Sequence, residues 1–255
     1  MASITRDRGC VYYIPWICTF CICIGIAGLG VWAYYTNRCK DLTLDGLDEL
    51  DITAKNVDRI NDALIATAIT YLVTSLLIFL MSLWRSFVEA AHDATGLVAR
   101  GSTVFLFIAF LLNTFWWLIT LWLVLLIMGN TLWGVSLYIV VGAVKQAKVD
   151  IATFGAATWL PSRNQPCPGQ CLDLTPFAFI SSDLKDACIC DTAKLEAAKR
   201  TFDRAYDLFI AVAVGNFVMF VAGLCLLMNF TGQFSHTKRE RELLTRVTSR
   251  IYSAM

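Results

Sequence analysis

Long runs without a charged side chain alternate along this chain with short segments crowded with them. Four runs stand out: Val11 to Tyr35, Ala63 to Trp84, a stretch opening at Thr103, and Leu208 to Phe230. A helix rises about 1.5 Å per residue and the hydrocarbon core is about 30 Å thick, so roughly 20 apolar residues make one crossing. Backbone cannot lie unpaired in lipid, which predicts that each run is helical. The runs are uniformly apolar rather than alternating, and that excludes a strand barrel.

The third run is too long for one crossing. From Thr103 to Val144 there are 42 residues without a charge, a helix of about 63 Å. One reading ends the span near Met128, breaks the helix at Gly129-Asn130 and leaves 131–144 as a separate apolar piece outside. The other sends 131–144 across as a fifth span. Fourteen residues is short for a crossing, which favours the four-span reading. The first run is longer than a signal-peptide core, so it reads as a retained span. The expectation is an all-α protein: a four-transmembrane-helix bundle forming one tetraspan domain over 1–255, with spans at 11–35, 63–84, 103–128 and 208–230.

Composition agrees and removes other classes. Of the 255 residues, 57% are hydrophobic and only 16% charged, with a mean hydropathy of +0.61. Soluble domains carry about 25% charge. The formal net charge of +1 offers no clustered basic excess for nucleic acid.

Charge placement predicts orientation. The tail 1–10 carries Arg6 and Arg8, and 231–255 carries Lys238, Arg239, Arg241, Arg246 and Arg250. The loop 85–102 has Arg85 and Arg100, whereas 36–60 is acidic, with Asp41, Asp45, Asp48, Glu49, Asp51 and Asp58. Flanks rich in Arg and Lys stay cytoplasmic. Both termini and 85–102 are therefore expected inside, and the loops 36–60 and about 145–206 outside, in a plasma-membrane protein.

The cysteines sort by side. Cys167, Cys171, Cys188 and Cys190 lie together in the second outer loop, among Pro161, Pro166, Pro168 and Pro176. In an oxidising compartment they read as two disulfides of undetermined connectivity. A zinc site would use similar spacing, but the loop has no His. Cys10 is juxtamembrane and a candidate for palmitoylation. Cys18, Cys21, Cys23 and Cys225 read as small buried hydrophobes. Cys39 has no evident partner and reads as a free or intermolecular thiol near the outer surface.

Reactive chemistry is hard to find. A transporter normally holds ionisable groups within its spans, and these spans contain none; Asp62 and Asp207 stand at their edges. Asn113, Thr114, Thr120 and Asn216 suit interhelical hydrogen bonds, and the pairs Cys21/Gly25 and Ala211/Gly215 suit close helix approach. No nucleophile–base arrangement, metal motif or phosphate loop is visible, so an enzyme, a metal or a cofactor is not expected. From Asp191 to Asp207 the pattern predicts a charged helix feeding span four, with i,i+4 pairs Glu196/Arg200 and Lys199/Asp203. Beyond Phe230, Leu243, Leu244, Val247 and Ile251 recur at helical spacing beside Arg246 and Arg250. They suit an amphipathic helix on an anionic leaflet or a short frayed tail. The sequon Asn229-Phe230-Thr231 falls at the expected inner end of span four and should be unmodified.

Specific stretches resemble one family. Cys171-Leu172-Asp173-Leu174, Ile189-Cys190-Asp191-Thr192 and Tyr206-Asp207-Leu208-Phe209-Ile210-Ala211 are similar to the second outer loop and fourth span of the myelin proteolipid protein and neuronal membrane glycoprotein family. Cys10-Val-Tyr-Tyr-Ile-Pro15 is similar to the opening of its first span. Asp207 stands where the family commonly has His, and the Pro-Trp-Asn stretch between Cys171 and Cys188 is missing. The resemblance implies nested disulfides, Cys167 with Cys190 and Cys171 with Cys188, and acylation at Cys10. It also implies a non-enzymatic protein of a divergent, invertebrate kind that organises or adheres membranes, as the family does in glial and neurite or filopodial membranes. The expected partners are the lipid bilayer, other membrane proteins or apposed membranes through the second outer loop, and further copies of the chain. Other readings are a channel or transporter subunit with an uncharged pore, or a junctional tetraspan.

Overall fold

A computed structural model describes residues 15–52, 57–95, 102–155, 167–175 and 188–254. Cys10 lies outside the described residues. The element order is α1 (Trp16–Asp48), α2 (Val57–Thr95), α3 (Ser102–Phe154), β1 (Leu172–Asp173), β2 (Cys188–Ile189) and α4 (Thr192–Ala254). Among the described residues four helices are long and apolar enough to cross a membrane, the make-up of a multi-pass membrane protein.

Each helix outruns the apolar run that nucleates it. The segment 36–60, expected as an outer loop, is mostly helix: α1 continues to Asp48 and α2 begins at Val57. Likewise α2 runs into 85–102 as far as Thr95, and α4 carries the tail 231–255 to Ala254 as one 63-residue helix. Starting a helix is costly and extending one is not. The spans supply the start, and ordinary helix formers in the polar flanks carry it on.

The break expected at Gly129-Asn130 does not occur. α3 is one helix of 53 residues, about 80 Å long. A glycine in a helix costs about 1 kcal/mol. Ending the helix there would strand several backbone groups in apolar surroundings, at several kcal/mol each. The segment 131–144 is therefore neither a detached piece nor a returning span; it continues α3.

Buried positions on α1 recur at steps of three and four: Cys18, Cys21, Gly25, Gly28, Trp32, Thr36 and Cys39. This is the seam of helices packed side by side. The helices also carry exposed apolar side chains, Phe20 on α1, Leu76 on α2, Phe107, Trp117 and Met128 on α3 and Phe217 on α4, as suits side chains meeting lipid.

The helix ends are set by named devices. At the end of α1, the Ile52 N–H donates to the Leu47 carbonyl (2.9 Å) and the Asp51 N–H to the Asp48 carbonyl (2.9 Å). Asp51 takes φ 57°. These are the paired bonds and left-handed residue of a Schellman stop, here with aspartate rather than glycine. Gly155, at φ 81°, ends α3.

The chain divides into two compact units. The terminal unit comprises Met1–Gly28, Thr67–Leu125 and Phe217–Met255; the loop unit comprises Leu29–Ala66 and Leu126–Asn216. In the terminal unit two polar ring atoms reach α4 carbonyls one turn apart. Trp116 Nε1 donates to the Gly223 carbonyl (2.9 Å) and the Tyr71 hydroxyl to the Met219 carbonyl (3.3 Å). Gly25 makes the second contact possible, because a Cβ there would collide with the Tyr71 hydroxyl. The Cys21/Gly25 pair thus sits on a packing face.

Of the four polar span residues, Asn113 makes an interhelical bond: its Oδ1 accepts from the Thr231 hydroxyl (2.9 Å). Thr114 and Thr120 instead donate to carbonyls in their own helix, those of Phe110 and Trp116. The Asn216 side-chain amide has no hydrogen-bond partner among the described residues.

Candidate functional site: a disulfide-bonded segment against a helix cap

The four loop cysteines form two disulfides, Cys167–Cys188 and Cys171–Cys190. This is the crossed pairing rather than the nested one that the family resemblance implies. Strand register accounts for the difference. β1 and β2 pair antiparallel with Leu172 opposite Ile189 and Asp173 opposite Cys188. One step further along the ladder, Cys171 faces Cys190, and their Cα atoms are 4.6 Å apart, the separation of a directly facing pair. Nesting would require Cys171 to face Cys188, a slip of two residues that would take Leu172 away from Ile189. Cys188, placed opposite Asp173, reaches back to Cys167, with Cα atoms 5.6 Å apart.

The alternation expected of a strand holds this register. Leu172 and Leu174 are buried while Asp173 is exposed. Asp173 Oδ1 accepts the Thr175 N–H (2.9 Å), and the Cys171 N–H donates to the Pro168 carbonyl (2.9 Å). The sulfurs of Cys171, Cys188 and Cys190 lie within 4.8 Å of one another. Each is consumed in a disulfide, so none is a thiolate ready for zinc.

Immediately after Cys190 the chain enters α4 through an N-cap. Asp191 Oδ1 accepts the Ala193 N–H (2.8 Å), and the Asp191 carbonyl accepts the Leu195 N–H (3.0 Å). A carboxylate there satisfies an orphan donor and opposes the positive end of the helix dipole. One residue therefore separates a disulfide from the start of the longest helix. Asp191 was legible as a helix start, since an aspartate preceding a helical pattern is the ordinary N-cap signal.

Charged side chains fix this region to its neighbours. The expected i,i+4 pairs are present: Lys199 Nζ to Asp203 Oδ2 (2.9 Å) and Arg200 Nε to Glu196 Oε1 (3.3 Å). Sequence reasoning missed the longer-range ones. Glu196 also meets Lys148 on α3, and Lys194 meets Asp51 at the Schellman stop. The hydrogen bond that the Lys194 ammonium donates to the Asp51 carboxylate holds it above the ordinary lysine range. Lys40, largely buried, donates to Asn37 Oδ1 (3.0 Å) and Asn61 Oδ1 (2.6 Å).

Cys39 is a free thiol, as one of the two expectations had it. It is fully buried, and its thiol donates to the Ala205 carbonyl (3.3 Å), which closes it to the other, an intermolecular bond. Cys18 and Cys21 are buried as expected, but Cys23 and Cys225 are exposed, because much of this molecule's surface is itself apolar.

No family model, curated protein or solved structure matches the chain.

Proposed function

We propose that this is a non-enzymatic tetraspan protein of the plasma membrane that organises or adheres membranes, with both termini cytoplasmic. The supporting observation is that two disulfides join the segment around Cys167–Cys190 to the N-cap of α4. Ordering a contact surface before it meets a partner removes much of the entropy cost of binding, and that is what a contact device needs. The charge bias described above supports an outer position for this segment. The likeness to the proteolipid family supplies the membrane-organising role. Acylation at Cys10 and the basic end of α4 would favour anionic, ordered lipid. The partner is an apposed membrane or a protein in it.

Reconstituted full-length protein should cluster otherwise repulsive vesicles. Reduction, or the Cys171→Ala/Cys190→Ala variant, should abolish the clustering while the four spans stay inserted. Vesicles that remain dispersed in the oxidised state would remove the adhesive reading. Solute or ion flux through the same vesicles would replace it with a channel.

A further inference from the structure

The loop unit contains a buried polar layer that its own packing leaves unanswered. Trp32 Nε1, Thr36 Oγ1, Asn130 Nδ2 and both polar atoms of the Asn216 amide are shielded from solvent with no hydrogen-bond partner among the described residues. Asn216 is 1% exposed, Trp32 2% and Thr36 4%. Buried polar groups in folded proteins are overwhelmingly hydrogen-bonded, and a cluster of exceptions calls for a physical explanation.

Helix register places these groups at one level. Cys39 on α1 meets Ala205 on α4. Seven residues back along α1 is Trp32, and seven on along the antiparallel α4 is Val212. Gly46 against the Phe202 ring gives a second register, which puts Trp32 level with Asn216 itself. On α3, Gly134 lies against the Phe209 ring, and the Tyr138 and Tyr206 rings are 6.0 Å apart. Those contacts bring Asn130 level with Ala213 or Val214. Trp32, Asn130 and Asn216 thus share a layer about one helical turn deep, contributed by three helices, and Thr36 is one turn along from Trp32.

The chemistry of the layer selects its occupant. It offers N–H donors from the indole and two amides, a hydroxyl that both donates and accepts, and one amide carbonyl. It carries no formal charge, so it does not suit an ion. The atoms are closed to the outside, which excludes a lipid chain reaching in with its hydroxyl. We propose that this layer is an internal hydration site, in which bound water bridges Trp32, Thr36, Asn130 and Asn216 within the apolar part of the loop unit. Water needs two to four polar partners to persist inside a protein, and this layer supplies that number.

The test uses full-length protein in vesicles, with Trp116 as the internal control. Trp116 is fully buried and its indole N–H is already taken by the Gly223 carbonyl. Radiolytic hydroxyl labelling in ¹⁸O water marks side chains adjacent to bound water. Trp32 should be labelled roughly tenfold faster than Trp116, while staying inaccessible to a bulky membrane-impermeant tryptophan reagent. In Asn216→Leu the Trp32 labelling should fall to the Trp116 level. Equal labelling of the two tryptophans in the unaltered protein overturns the proposal, whether or not the variant folds. So does an Asn216→Leu protein that melts higher with Trp32 labelling unchanged, the behaviour of an amide buried dry.

Discussion

In the loop unit, Cys171 is bonded to Cys190, Cys167 to Cys188, and Glu196 meets both Lys148 and Arg200. In the terminal unit the ties include a Trp116 indole on the Gly223 carbonyl and a Tyr71 hydroxyl on the Met219 carbonyl, beside edge-to-face rings such as Trp84 and Phe105 and a contact of Arg85 with His236. The first set is covalent and ionic; the two indole and hydroxyl bonds of the second are neutral groups reaching helix backbone. The contrast follows the solvent each is suited to. An exposed ion pair is tolerable where water screens it, whereas a neutral hydrogen bond to a backbone carbonyl survives in lipid without exposing charge. The two units should therefore respond to different insults.

The largest separation should come from the disulfides. Each closes a loop of about 20 residues, worth about 3 kcal/mol in chain entropy. Cys171→Ala/Cys190→Ala should lower the melting temperature of the loop unit and speed protease cleavage there, with cleavage in the terminal unit unchanged. A parallel loss in both units would erase the distinction. Next come the glycines at close approaches. A Cβ at Gly46 would lie 2.7 Å from Phe202 Cε1, so Gly46→Leu should cost about 1–3 kcal/mol by overpacking. Thermal melts should show this, whereas Gly129→Leu, in open space, should not.

Trp116→Phe removes one neutral bond from the terminal unit and should cost about 1 kcal/mol. That loss should be the same at low and high salt, and under reducing conditions. Glu196→Gln breaks two partly exposed pairs and should cost about 0.2–1 kcal/mol per pair. Raising the salt concentration should shrink the difference from the unaltered protein. A salt-independent loss would mean that these pairs are not the water-screened ties argued here.

What the sequence could show was decided by range. The four apolar runs are local facts, and a helix over each was legible, with α1 beginning at Trp16 after Pro15. The pairs Glu196/Arg200 and Lys199/Asp203 are equally local and were readable at i,i+4. Helix lengths were legible in part: the charged helix from Asp191 into span four and the helical spacing of Leu243, Leu244, Val247 and Ile251 could be read, whereas 36–48 looks like a loop when composition is the guide. Cysteine partners were not legible, since the choice between crossed and nested bonds depends on Leu172 meeting Ile189. The family resemblance pointed to the other choice. The ties of Lys148 to Glu196 and Asp51 to Lys194 join distant segments, and no spacing rule announces them.

The unbroken α3 has one further consequence. Most membrane helices are bracketed by charges that fix how thick a bilayer they accept, and α2, with Asp62 and Arg85 near the ends of its run, is of that kind. α3 carries no such bracket on one side for 42 residues. Its tolerance therefore covers both the thinner bilayers of the secretory pathway and the thicker, sterol-rich ones at the cell surface, which differ by only about 5 Å. A charge bracket such as that of α2 sets a narrow thickness, and α3 sets no such limit.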